Sequence, residues 1–388
     1  MAVNSNCSAD PAINRMATVA AACGCDTTFD RTEAMKPQCG YGELGLCCRI
    51  CIQGPCRINP YGSEPSVGIC GAKDYTMVAR HIIRMAAAGA AAHSDHGRHI
   101  VHTLHSVAEG KAPAYQIKDK KKLHKVAAKL GLPVAGKNDN ELALKVAEIA
   151  LNDYSSQGEE VTAFVKAYVP EKRLKLWDSH DVLPTNIDRG ICEVMHRSTM
   201  GCDADPVPLI FGGIKAALGD LTGEYISTNI SDILFGTPKI VKAEANMNVL
   251  DVDAVNIVVH GHNPIMSEVM VDMAAELEGE AKAAGAKHGV SISGICCTAN
   301  ELLMRHGIPI ATNFLGQDLA IMTGVVDAMV VDYKCIMPAL APTAQCFHTK
   351  LVSTMPITRV PGDVHIEFNE KTAREGARQI VRDRKSVV

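Results

Sequence analysis

Up to about Pro238, apolar residues recur at every third or fourth position, the helical period. PAINRMATVAAA carries it inside a helical stretch over 1–38. An alanine-rich run carries it from Asp74 to about Gly110, NELALKVAEIALNDY within 140–170, and further segments over 186–235. Residues 39–71 are rich in Gly and Pro, which predicts a loop folded around something other than a hydrophobic core. Past Pro238 the pattern changes. VNIVVHG (255–261), GVSISGI (289–295), IPIATNF (308–314), AMVVDYK (328–334) and KLVSTMP (350–356) read as short buried strands. Helical patterns fill the gaps, from about 265 to 284 before Gly285, at 299–306, and in LAIMTGVV. Such alternation predicts a parallel sheet with right-handed crossovers. The expected fold class is α plus α/β: a helical domain over 1–238, then a Rossmann-like parallel-sheet domain over 239–382. Ligands of such sheets bind at the carboxyl ends of the strands, where His262, Cys296, Cys297 and Cys335 fall.

Composition narrows the function classes. Of the 388 residues, 47% are hydrophobic and 21% charged, ordinary for a globular protein. A net charge of −4 gives no reason to expect a nucleic-acid partner. No run approaches the roughly 18 apolar residues of a membrane span. The start MAVNSNCSADPAIN lacks a basic region followed by an apolar run, so a cytoplasmic location is expected. Fifteen cysteines then point to metal or cluster ligation in a reducing compartment. The adjacent pairs Cys47-Cys48 and Cys296-Cys297 also suit disulfide frameworks poorly.

Three constellations carry chemistry. The first is CGYGELGLCCRICIQGPCRINPYGSEPSVGIC, in which Cys48, Cys51, Cys56 and Cys70 are spaced to wrap a four-thiolate iron–sulfur cluster. A structural zinc site would use C-x2-C twice, and only one such pair is present. Cys39 and Cys47 remain over, either as plain buried thiols or as half of a cluster shared across a two-fold axis. The second is His262, Cys297 and Cys335, each after a predicted strand. Any one alone is a buried strand-end residue, but together they suit a borderline-soft metal such as iron or nickel. They are too few to hold a large cluster. The third is HSDHGRHIVHTLH, where His93, His96, His99, His102 and His105 recur every third residue. On a helix each step rises about 4.5 Å, so the row spans roughly 18 Å. It is either a polar face or, in this strict register, a proton relay.

The 39–71 segment and the histidine row, with MHRSTMGCDAD (195–205), DILFGTP (232–238), HGHNP (260–264), GICCTANELLMRHGIP (294–309) and DYKCIMP (332–338), resemble the catalytic subunit of anaerobic nickel–iron carbon monoxide dehydrogenases. The likeness runs from about residue 10 to about 382. It implies a homodimer with three kinds of cluster. Cys48, Cys51, Cys56 and Cys70 match the ligands of a [4Fe-4S] relay, the B cluster. Cys39 and Cys47 match those of the bridging D cluster, [4Fe-4S] or [2Fe-2S]. His262, Cys297 and Cys335 match three ligands of the catalytic nickel–iron–sulfur C cluster, and Cys296 only the neighbour of a ligand. His93 matches an acid/base histidine near the active site, and His96, His99, His102 and His105 the proton channel or its extension. Asp220 matches a carboxylate near the reactive centre. The implied reaction converts CO and water to CO2, two protons and two electrons, passed to ferredoxin or a similar acceptor. An acetyl-CoA synthase is a further implied partner.

The resemblance stops after HIEFNEKTAREGARQIVR. The remaining Asp383–Val388 reads like a translated sequencing adapter, so a non-native tail on a fragment is expected, to be checked by resequencing the locus. The family's second Rossmann-like domain would then be missing, with three more C-cluster cysteines and a catalytic lysine, and the stretch alone would be inactive. Two other readings compete. The hybrid-cluster (hydroxylamine reductase) family places its first cysteines nearer the N-terminus. A non-catalytic iron–sulfur electron-transfer subunit would need only the 39–70 cysteines.

Overall fold

The computed structural model describes residues 7–382, so the 383–388 tail lies outside the described residues. The chain forms two compact units: Pro37–Glu109 with Asp119–Ile233, and Met1–Lys36 with Gly110–Lys118 and Leu234–Val388.

The first unit is helical. Its longest early helix, Asp74–Ala108, contains no proline and buries Met77, Ile83, Ala87, Leu104 and Val107 at helical spacing. Gly110, at φ +72°, follows its end. Ile83 and Ala87 pack with Val194 of the Ile187–Arg197 helix and with Leu209 and Ala216 of the Pro206–Phe235 helix. The cysteine segment contributes two-residue strands, β1 (Cys47–Cys48) and β2 (Cys56–Arg57), paired antiparallel.

The second unit holds a six-stranded parallel sheet in the order β5-β4-β3-β6-β7-β8. The strands are β3 (Val255–Gly261), β4 (Val290–Ile295), β5 (Ile310–Thr312), β6 (Val326–Val331), β7 (Lys350–Ser353) and β8 (Val364–His365). Alternation along β3 fills both faces. Ile257 and Val259 face Met266, Met270 and Met273 of the Pro264–Ala283 helix, while Val258 joins Ile321, Leu340 and Ala341 on the other side.

The division corrects the expected boundary. The N-terminal helices Pro11–Ala22 and Thr28–Ala34 belong with the sheet, not with the helical unit, and the last junction falls at Leu234 instead of 239. The reason is packing and charge. Ile13 and Ala20 pack with Met247, Leu319 and Met322. Asp318, 1% exposed, accepts from Thr28 N at 3.0 Å and from the Arg31 guanidinium at 2.8 Å. Short amphipathic helices carry no sign in sequence of which core they will cover.

This anchor gives a first prediction. In Asp318→Ala, amide protection over residues 11–34 should fall by about 2 kcal/mol, the worth of hydrogen bonds to a charged acceptor. Exchange in β3 and β6 should stay unchanged, both read by hydrogen–deuterium exchange.

Candidate metal centre

In the parallel sheet, β3 lies between β4 and β6, so the carboxyl ends of all three emerge on one edge. His262 follows β3, Cys296 and Cys297 open the Cys296–His306 helix directly after β4, and Cys335 lies in the loop after β6. A parallel bridge between Gly261 and Cys296 puts His262 and Cys297 one residue beyond a shared rung. Cys335 and Cys297 both lie within electrostatic range of the Cys296 thiol. His262 is buried, whereas Cys297 and Cys335 are exposed.

The backbone here is strained. Cys296, Lys334 and Cys335 have φ of 63°, 63° and 58°; among the described residues the remaining non-glycine at positive φ is Asp181. Each left-handed residue costs roughly 1–2 kcal/mol, so neighbouring contacts must hold it. Two sets of contacts do so. Asp332, fully enclosed after β6, accepts from the backbone N–H of His262 (2.7 Å) and Asn263 (2.8 Å) and from that of Tyr333. Burial pushes its carboxyl up to about 7, although those three donors and the Lys334 charge pull it down. On the far side, His260 and Gln317 are both fully buried. The His260 Nε2 lies 3.0 Å from Gln317 Oε1 and 3.2 Å from the Cys335 carbonyl. Both neighbours accept, so Nε2 carries the proton. The Gln317 carboxamide also donates to the Cys335 carbonyl, at 3.0 Å.

Burial, then Cys335, pushes the Cys296 thiol up to about 12, so it stays protonated. That suits its expected place beside a ligand and not among the ligands. One imidazole and two open thiols on a held backbone suit a soft or borderline metal group. Among the described residues, no three His, Cys, Asp or Glu side chains close tightly enough for a single ion. A cluster, whose donors each bind a different atom, needs them farther apart.

In the helical unit the cysteine segment is drawn together without a disulfide: all fifteen cysteines are free thiols. Cys48 and Cys56 face each other across β1–β2 and pack against Ile58, Ala72 and Met77. Gly54 lies so close that a Cβ there would sit 3.1 Å from the Cys48 carbonyl oxygen. Cys51 is half-buried, whereas Cys39, Cys47 and Cys70 are exposed. Four thiols on a turning backbone fit a thiolate cluster.

The histidine row lies along the Asp74–Ala108 helix. His96 is buried, His93, His99 and His105 are half-buried, and His102 is exposed. His93 Nδ1 pairs with Asp220 Oδ1 at 2.9 Å, which brings two sequence-predicted residues together. Sequence reasoning missed Glu224, one helical turn beyond Asp220, whose Oε1 lies 4.0 Å from His93 Nδ1 and 3.9 Å from His96 Nδ1. The i,i+4 acid pair in GDLTGEY was the available signal. His105 pairs with Glu109 at 3.2 Å. Also missed were Asp332, His260 and Gln317, polar residues whose importance depends on burial.

The model of the prismane/CO dehydrogenase family matches residues 46–387. Carbon monoxide dehydrogenase 1 of Carboxydothermus hydrogenoformans is 54% identical over 375 residues, 96% of this chain and 59% of that protein. The as-isolated, nickel-free carbon monoxide dehydrogenase of Thermococcus sp. AM4 superposes with a TM-score of 0.97 at 48% identity, over 99% of this chain and 61% of that one. An acetyl-CoA synthase/carbon monoxide dehydrogenase with NiZn[Fe4S4] and NiNi[Fe4S4] clusters in its alpha subunits superposes with a TM-score of 0.96 at 47% identity, over 99% and 58%. The chain therefore spans about three-fifths of the length of these relatives. Among the described residues, no helix is long and apolar enough to cross a membrane.

The packing around the histidines predicts opposite outcomes at two glycines of one helix. A Cβ at Gly97 would meet the Tyr154 hydroxyl, which donates to the Gly223 carbonyl at 2.7 Å, whereas one at Gly89 meets nothing within 4 Å. Gly97→Ala should cost about 1–3 kcal/mol through overpacking. Gly89→Ala should add up to about 1 kcal/mol through helix propensity. Thermal unfolding of the two variants checks the signs.

Proposed function

Because this chain belongs to the prismane/CO dehydrogenase family, we propose that the protein it represents is an anaerobic carbon monoxide dehydrogenase, converting CO and water to CO2, two protons and two electrons. The observation that carries this reading is the arrival of His262, Cys297 and Cys335 at three neighbouring strand ends, in a chain 54% identical to such an enzyme. A nickel–iron–sulfur group, when bound, supplies the Lewis-acid and redox chemistry.

The chain's own residues supply donors, orientation and proton handling. His262, Cys297 and Cys335 would be three protein donors to that group, the C cluster. The remaining donors would come from the part of its relatives that this chain does not span. In the pair with Asp220, the carboxylate accepts from His93 Nδ1–H, which leaves Nε2 as the atom that takes up and releases a proton. His96 and His99 extend that path toward the exposed His102, with Glu224 stabilising positive charge at its start. Cys48, Cys51, Cys56 and Cys70 would hold a [4Fe-4S] relay. Cys39 and Cys47 would contribute half of a cluster completed by a second copy, so the proposed assembly is a homodimer. Ferredoxin or a similar acceptor would take the electrons in the cytoplasm. An acetyl-CoA synthase is a further proposed partner, as in the relative that is an acetyl-CoA synthase/carbon monoxide dehydrogenase.

The test is anaerobic metal analysis of the full-length protein and its Cys297→Ala variant, with CO-dependent reduction of a viologen dye. The parent should contain nickel and iron and reduce the dye. Cys297→Ala should lose nickel and dye reduction while keeping most of its iron. A full-length parent free of nickel and inert toward CO would overturn the reading. For the proton path, His93→Ala should lower dye reduction by about 10²–10⁴-fold, the usual contribution of a positioned acid/base, without loss of nickel.

A further inference from the structure

Two donor-bearing segments of the sheet edge, distant in sequence, share one acceptor. The turn after β3 presents the backbone N–H of His262 and Asn263 to the Asp332 carboxylate, at 2.7 and 2.8 Å. The segment leading to Cys335 presents the N–H of Tyr333 to the same group. A second link joins the same segments: the Asn263 carboxamide donates to the Tyr333 hydroxyl at 2.8 Å. Asn263 also caps the Pro264–Ala283 helix through the N–H of Ile265, at 3.0 Å, so the turn is tied to a rigid element.

The fit leaves no slack. Gly261 has φ +133°, and a Cβ there would fall 2.0 Å from Asp332 Oδ1. Asp332 in this position therefore requires glycine at 261. The other end of the Cys335 segment is held independently: Gln317 accepts from Met337 N at 3.0 Å and, with His260, binds the Cys335 carbonyl. Thus the Cys335 loop has two anchors, and one of them also carries His262.

We infer that Asp332 is a positioning residue that holds His262 in register with Cys335, as an outer-shell partner of the metal donors and not a donor itself. The inference rests on the reading of His262 and Cys335 as donors. An asparagine of the same shape would turn an N–H2 group toward backbone N–H donors, so Asp332→Asn removes acceptors without removing volume.

Hydrogen–deuterium exchange and nickel retention on the full-length anaerobic protein test this. In the parent, the amides of His262 and Asn263, outside the regular strand ladder, should exchange as slowly as those within β3; exchange at open-loop rates overturns the inference without any variant. In Asp332→Asn, exchange at His262 and Asn263 should quicken by about tenfold or more, while Met337, tied to Gln317, stays as in the parent. Nickel retention under chelator challenge should weaken by about 10–100-fold, with the iron on Cys48, Cys51, Cys56 and Cys70 retained. Unchanged exchange, or quickened exchange with unchanged nickel retention, sinks the proposed role. A parent without nickel would instead defeat the metal reading, and the exchange measurements would still judge the link between Asp332 and the turn.

Discussion

The hydrogen-bonded register of β3 between β4 and β6 determines where each candidate donor of the sheet leaves the fold. His262, Cys297 and Cys335 are far apart along the chain, and no local contact could gather them. Parallel pairing does so because every strand runs the same way and ends at the same edge. The strands are buried on both faces, so the edge is stiff. β3 alone sends Ile257 and Val259 to one core and Val258 to the other, so a slip of one residue would exchange its faces.

That stiffness carries the unfavourable backbone at the edge. Left-handed Cys296, Lys334 and Cys335 would relax if nothing opposed them. The opposing contacts are polar and buried: Asp332 under the His262 turn, and His260 with Gln317 under Cys335. Such groups cost free energy unless satisfied, and here the Asp332 carboxylate, the His260 Nε2 and the Gln317 carboxamide are satisfied by the loops they hold. The same arrangement directs Cys297 and Cys335 outward while Cys296 remains a protonated, half-buried thiol. Of the adjacent pair, therefore, Cys297 is the more open thiol.

Much of this was legible in the sequence, and the gaps have physical causes. β3 was predicted at 255–261 and observed as Val255–Gly261, because a buried parallel strand is a mostly apolar, β-branched run bounded by turn residues. The placement of His262, Cys297 and Cys335 after strands, and of the histidines along one helix, followed from position and period. The two-residue β8 was missed, since VHI within a polar stretch shows neither period. The helices of residues 11–34 were recognised as helices but assigned to the wrong unit. What decides their partner is the buried Asp318, remote in sequence. Asp332 was visible in DYKCIMP, but an aspartate after a strand is common, and only its enclosure by three N–H donors distinguishes it. Glu224 escaped for a related reason: its role depends on a helix-to-helix contact.

The two thiol-bearing regions differ in what supports them, and this bears on how each would accept its group. The candidate donors at the sheet edge stand on two extensive cores and on buried hydrogen bonds. The 39–70 segment has only Ile58, Ala72 and Met77 beneath Cys48 and Cys56, with one pair of two-residue strands, and three of its six cysteines are exposed. A loop so rich in glycine pays a high conformational entropy that so small a core offsets poorly. On the proposed reading, thiolate–iron bonds at Cys48, Cys51, Cys56 and Cys70 would supply much of that segment's own stability, as metal binding does in small metal-centred folds. At the sheet edge the order is reversed. There the two cores and the buried hydrogen bonds carry the cost of three left-handed residues, so less of the edge's stability would depend on a metal group.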